Sequence, residues 1–243
     1  SNSLKSTKEA SAAGMLKAEL ELLGSHLLAF AHESSVPAGG ALAVDREQFA
    51  SLVTDALVQA GVARIEAEVV GIDPSGAFII EDAHHEGPYV LEDPAPFCII
   101  ATGPLTSPAL AESLRALTGE DHLSFYDAAA PIVYADSLDY DVVFGQSRYE
   151  EGVGDYLNAP FNKEEYEAFA QELIDARCVI KKEFESSDLF QACQPIEEIA
   201  RKGFDAPRFG PLKPVGLVDP RTQKRPWAVV QLRAEGRDKQ CYN

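Results

Sequence analysis

The sequence predicts an α/β first part followed by an α+β stretch. Helical and strand periodicities alternate over residues 1–105. Phe97-Cys98-Ile99-Ile100-Ala101 is a continuous apolar run, the pattern of a strand buried on both faces of a parallel sheet. Beyond residue 105, short apolar pieces are separated by Gly, Pro and Asp.

The elements follow in order. Leu16, Leu20, Leu23, Leu27 and Phe30 recur at three and four, which predicts a helix over 14–32, with a capping box from Ser6 to Glu9 before it. Ser34 to Gly40 breaks the pattern, and Ala41–Val44 reads as a strand. Asp45 is placed to cap a helix whose inward face is Phe49, Leu52, Val53, Ala56 and Leu57, with Gly61 as its stop. Ile65, Ala67 and Val69 alternate with charged residues, the pattern of a half-buried strand. Ala77–Ile80 and Tyr89–Leu91 read as a hairpin around His84 and His85.

A helix is expected at 108–117, then short strands at Ile132–Tyr134, Val142–Phe144 and Asp155–Leu157. Asn162 and Glu165 predict a capping box for a helix over 163–176, with Tyr166, Phe169, Ala170, Leu173 and Ile174 facing inward. Pro195 opens a helix to Lys202, acidic in its first turn and basic in its last. Trp227–Leu232 reads as a strand.

Composition narrows the function classes. With 46 % hydrophobic residues, a wholly disordered chain is excluded. No apolar run reaches the roughly 18 residues of a membrane span, so no membrane association is expected. The net charge of −18 argues against a simple polyanion binder. The charge is uneven, however. Residues 1–176 carry 8 basic and 30 acidic side chains, and residues 177–243 carry 13 and 9. A nucleic-acid surface would therefore lie in the last third, where Lys213, Arg221, Lys224, Arg225, Arg233 and Arg237 are interspersed with Pro and Trp227; a solvated loop face has the same composition, which does not decide between the two.

The four cysteines, Cys98, Cys178, Cys193 and Cys241, form no C-x-x-C pair and fit no zinc spacing, so no metal site is expected. A reducing, cytoplasmic setting is the expectation. Cys193 stands two residues ahead of Pro195 at a helix start, where the helix dipole favours thiolate; Glu197 and Glu198 oppose that effect, and either could instead move protons. A buried structural thiol is the competing reading. The dinucleotide fingerprint is absent: Gly152-Val-Gly154-Asp-Tyr-Leu157 fails at its third glycine. Ala101-Thr102-Gly103 after an apolar strand is a turn whose small residues would let backbone pass close to a cofactor.

Seven segments, in order along the chain, resemble the folate- and FAD-dependent tRNA (uracil-5-)-methyltransferases. They are Ser1-Asn2-Ser3-Leu4, Val36 to Arg46, Ile99 to Thr106, Phe125 to Val133, Cys193-Gln194-Pro195-Ile196-Glu197, Phe209 to Leu217, and Lys224 to Arg233.

The resemblance implies a partial FAD-binding Rossmann-like domain at 1–105, an inserted α+β domain on the tRNA side at 106–235, and the start of the return to the FAD domain at 236–243. It implies an internal fragment, with a GAGLAG segment and a nucleophilic cysteine expected before Ser1. The implied reaction moves a one-carbon unit from 5,10-methylenetetrahydrofolate to carbon 5 of the T-loop uracil, with reduced FAD as electron donor and NADH or NADPH as ultimate reductant. Cys193 matches the family's second functional cysteine, implied to remove the carbon-5 proton or stabilise the uracil adduct, with Glu197 as helper. Ala101, Thr102 and Gly103 are implied to border FAD. Gly39, Gly40 and Arg46 are implied to shape the flavin or folate cleft. The partner is tRNA, and no protein partner is expected. A related wobble-uridine-modifying flavoprotein and a non-catalytic tRNA-binding module are the alternatives. In Tyr156-Leu157-Asn158-Ala159-Pro160, Ala159 stands where a number of relatives have Cys, so that position offers no thiol.

Overall fold

The computed structural model describes residues 2–91, 98–103, 106–119, 131–149, 153–177 and 195–243. They fall into two compact units, one of 63–91, 98–103 and 106–119, the other of the remainder. Helix and strand are mixed in both, and every strand pair among the described residues is antiparallel.

The larger unit begins with β1 (Ser3–Ser6), α1 (Ala12–Leu22), α2 (His26–Glu33), β2 (Ser35–Val36), β3 (Ala41–Val44) and α3 (Arg46–Gln59). The single helix expected over 14–32 is two. Gly24 takes a left-handed turn at φ +70, and Ser25 caps α2 by accepting from Leu28 N–H. Ser11, not Ser6, caps α1, because Ser6 ends β1. Sheet order is β1-β3-β2, and Leu42 and Val44 pack with Leu28 and Ala31. Asp45 caps α3 as expected, accepting from Gln48 N–H at 3.1 Å. The inward face expected for α3 is only partly used. Phe49 packs on that core, Leu57 is exposed, and no α3 residue is fully buried.

The smaller unit holds β4 (Glu68–Ile72), β5 (Phe78–Glu81), β6 (Tyr89–Val90) and α4 (Pro108–Thr118). The expected hairpin is present, with Ile79 opposite Val90 and Ile80 opposite Tyr89. The strand expected from Ile65 starts later, at Glu68, where pairing with β5 begins. Ser113 of α4 fixes it by accepting from Ile72 N–H at 3.0 Å. The buried parallel strand expected at 97–101 is not found. Residues 98–101 form no strand, and Ile99 is 89 % exposed. An apolar run becomes a strand only against a partner edge, and none pairs with it among the described residues.

The larger unit resumes with β7 (Val133–Tyr134), β8 (Phe144–Gly145), β9 (Tyr156–Phe161), α5 (Lys163–Asp175), α6 (Ile196–Lys202), α7 (Ala206–Phe209), β10 (Ala228–Arg233) and β11 (Cys241–Tyr242). Asn162 and Glu165 form the expected capping box. Tyr166 and Ala170 of α5 are fully buried with Leu212 and Ala228. β10 pairs with β9 over six residues, from Ala228 opposite Phe161 to Arg233 opposite Tyr156, and β8 completes that sheet. Gly154 has a packing role. A Cβ there would lie 1.9 Å from Ser147 N, so the backbones meet only because the side chain is absent.

Candidate functional site

The turn between β2 and β3 carries two of the expected cofactor-side residues, Gly39 and Gly40. Gly39 lies at φ +56, and a Cβ there would meet the Tyr156 ring at 3.3 Å. Asp155, just before β9, and Tyr156, its first residue, clamp the turn. Gly39 N–H donates to Asp155 Oδ2 at 2.7 Å, and the Tyr156 hydroxyl donates to Ala38 O at 2.7 Å. Gly40 O accepts from Thr7 N–H at 3.0 Å. A cleft of about 370 Å³ opens here, lined by Thr7, His32, Ser35, Pro37, Gly39 and Asp155 among others. Sequence reasoning missed Asp155 and Tyr156 as its supports.

Arg46 opens α3 and forms an ion pair with Glu235, a buried carboxylate. Asn243 Nδ2 donates to the same carboxylate. A second cleft of about 460 Å³ is lined by Arg46, Glu47, Tyr134, Glu235, Asp238 and Cys241 among others. Arg46 thus reaches a cleft with its charge already matched, and an anionic ligand would compete with Glu235 for it.

Ala101, Thr102 and Gly103 belong to the smaller unit and are exposed. Gly103 lies at φ +67 with open space around it. The Thr102 and Thr106 hydroxyls are 2.6 Å apart, and Thr106 Oγ1 donates to Gly103 O at 2.8 Å. This bonding fixes the turn.

Glu197 lies in the first turn of α6 and is partly buried. Cys193, the thiol expected beside it, lies outside the described residues, as does Cys178. Cys98 is exposed and Cys241 partly buried, and both are free.

The basic residues separate into three kinds. Lys213, Lys224 and Arg225 are exposed. Arg221 makes a forked pair with Asp219, Nε to Oδ1 at 3.2 Å and Nη2 to Oδ2 at 2.9 Å. Burial pushes the Asp219 carboxyl up, but the Arg221 bonds outweigh it and hold it below its ordinary value. Arg233 points inward. Its Nε donates to Asn2 Oδ1 at 2.8 Å and its Nη2 to Asn243 Oδ1 at 3.1 Å. Arg148, not singled out from sequence, holds the loop before Leu217 by donating from Nη1 to the carbonyls of Lys213 and Val215. Desolvation lowers its pKa.

No helix among the described residues is long and apolar enough to cross a membrane, and no cluster of His, Cys, Asp and Glu among them could hold a metal ion.

Across residues 1–243 the chain matches the family model described as glucose inhibited division protein A. Three similar relatives are each named as a methylenetetrahydrofolate–tRNA-(uracil-5-)-methyltransferase TrmFO. That of Fervidobacterium nodosum is 49 % identical over 243 residues, covering all of this chain and 52 % of the relative. That of Moorella thermoacetica is 48 % identical over 245 residues, covering all of this chain and 51 % of the relative. That of Lysinibacillus sphaericus is 47 % identical over 243 residues, with the same coverage. The chain spans about half the length of these relatives.

Proposed function

The chain belongs to the glucose inhibited division protein A family, and on that premise we propose that it is part of a folate-dependent tRNA (uracil-5-)-methyltransferase. The observation that carries this reading is identity of 47–49 % along the whole chain to three relatives bearing that name. The one-carbon donor is 5,10-methylenetetrahydrofolate, and the acceptor is carbon 5 of the T-loop uracil in tRNA. The division of labour follows the limits given above: FAD side at 1–105, tRNA side at 106–235, return to the FAD side from 236. The setting is cytoplasmic.

Bound FAD, reduced by NADH or NADPH, supplies the electrons that turn a methylene into a methyl group. The turn Ala101-Thr102-Gly103 borders it, and the clamped Gly39–Gly40 turn, with Arg46, shapes the flavin or folate cleft. Arg46 offers a guanidinium to a phosphate or a folate carboxylate, and exchanges Glu235 for it on binding. Carbon 5 of uracil is a weak nucleophile until a thiolate adds to carbon 6 and pushes electron density onto it. After transfer, the carbon-5 proton must leave. Cys193 takes it or stabilises the adduct, with Glu197 as the carboxylate at the start of α6. Lys213, Arg221, Lys224 and Arg225 form the phosphate-facing surface, and Arg233 supports it from within.

The test is to treat unmodified tRNA with the full-length protein containing this chain, then locate the product by nuclease digestion and mass spectrometry. A methyl group on the T-loop uridine is expected. Modification of the wobble uridine instead would transfer the assignment to the related flavoprotein function. Cys193→Ala is expected to lower methylation strongly with the flavin spectrum intact, and unchanged turnover would remove Cys193 from the mechanism.

A further inference from the structure

The exposed face of α7 and the loop after it set an aromatic ring, which the phosphate-contact reading does not use, beside two of its basic residues, Lys213 and Arg225. Phe209 closes α7 and is 73 % exposed. The Arg208 guanidinium lies 4.9 Å from the Phe209 ring centroid and 3.7 Å from that of Trp227. Arg208 Nε also donates to Trp227 O at 3.4 Å. The guanidinium is therefore held against both rings. A cavity of about 190 Å³ beside it is lined by Arg208, Phe209, Lys213, Pro214, Val215 and Arg225. Its walls are fixed. Pro207 and Leu212 are buried, and Arg148 Nη1 donates to Lys213 O at 2.8 Å and to Val215 O at 2.7 Å.

We propose that this cavity is a stacking subsite for one unstacked nucleotide of single-stranded RNA, with Phe209 against the base and Lys213 and Arg225 at the adjoining phosphate. The proposal rests on the tRNA reading above and adds the mode of recognition. Segment 205–225 carries five basic and two acidic side chains in a chain of net charge −18, so its charge complements a polyanion where the rest of the surface repels one. One acidic group, Asp219, is matched by Arg221. An exposed ring flanked by cations suits a base and its phosphate, since every base has a π-face and stacking tolerates any sequence. Duplex RNA hides those faces and would meet only the charges.

Fluorescence anisotropy with the full-length protein containing this chain separates the parts, using a labelled oligouridylate and a labelled RNA duplex as probes. Phe209→Ala is expected to weaken oligouridylate binding about tenfold and to leave duplex binding unchanged. Phe209→Tyr is expected to retain both. Arg225→Ala is expected to weaken both probes and to flatten the salt dependence by about one phosphate contact. Equal weakening of both probes by Phe209→Ala, or no weakening, would overturn the stacking subsite while the tRNA reading stands. Failure of the unsubstituted protein to bind oligouridylate while it binds unmodified tRNA would overturn the subsite alone, and failure to bind tRNA as well would overturn both.

Discussion

Asn2 Oδ1 accepts a hydrogen bond from Arg233 Nε at 2.8 Å, joining residues 231 positions apart. The Asn2 amide nitrogen donates to Val44 O at 3.0 Å and to Ala234 O at 3.1 Å, and Asn243 Nδ2 donates to its oxygen at 3.1 Å. Asn2 is thus a buried four-way junction between the β1-β3-β2 sheet and the end of β10. Asn2→Ala would leave two carbonyls and a guanidinium without these partners. The expected cost is about 2–4 kcal/mol, read as a lower urea midpoint at an unchanged slope. Arg233→Ala should likewise lower stability and leave the salt dependence of tRNA binding unaltered. A shallower slope would place Arg233 on the RNA instead.

Gly154→Ala and Gly103→Ala test two different uses of glycine. At Gly154 a Cβ would collide with Ser147 N and with Gln146 C, 2.5 Å away. That variant should lose at least about 3 kcal/mol or fail to fold. At Gly103 nothing lies within 4 Å, and only the positive φ opposes a side chain. Its cost should be about 1 kcal/mol. Thermal unfolding of the two variants side by side measures the contrast, and equal losses would contradict it.

The hairpin of β5 and β6 should be stable over a defined pH window. Asp82 accepts from the Tyr89 hydroxyl at 2.6 Å and from the His84 and His85 backbone N–H groups at 2.8 and 3.0 Å. The Tyr89 bond first, then His85, holds its carboxyl far below the ordinary range. The same bond raises the Tyr89 phenol. A depressed carboxyl stabilises fully above its unfolded value of about 3.9, and the gain is lost as pH falls through the folded one. A raised phenol stabilises below about 10, and that gain is lost as pH rises through its folded value. Amide shifts of Tyr89 and Val90 should therefore move at the acid end, as Asp82 takes up its proton, and at the alkaline end, as Tyr89 loses its own. Asp82→Asn should remove the acid-side change, and its persistence would contradict the assignment.

What the sequence made legible was mainly local. The caps at Asp45 and Asn162 were readable because the residue that accepts lies three positions from the N–H that donates. Leu periodicity runs across Gly24 and Ser25 and so predicts one helix over 14–32, although these two residues stop one helix and start the next. The 98–101 run misled because apolar composition does not specify a pairing edge. At the site, Gly39 and Gly40 were readable as a special turn, but Asp155 and Tyr156, which hold it, lie more than a hundred residues away. Counting basic residues grouped Arg233 with Lys224 and Arg225, since a count does not distinguish a guanidinium turned inward from one in solvent.

On the proposed function a folate carbon becomes the methyl group of a tRNA uracil, and isotope tracing follows that carbon. Full-length protein containing this chain is given unmodified tRNA, reduced FAD and methylenetetrahydrofolate labelled at the methylene carbon, and the tRNA is digested to nucleosides. The expected result is label in 5-methyluridine with tetrahydrofolate as the other product. Unlabelled 5-methyluridine, or none at all with the flavin reduced and tRNA bound, would contradict the account.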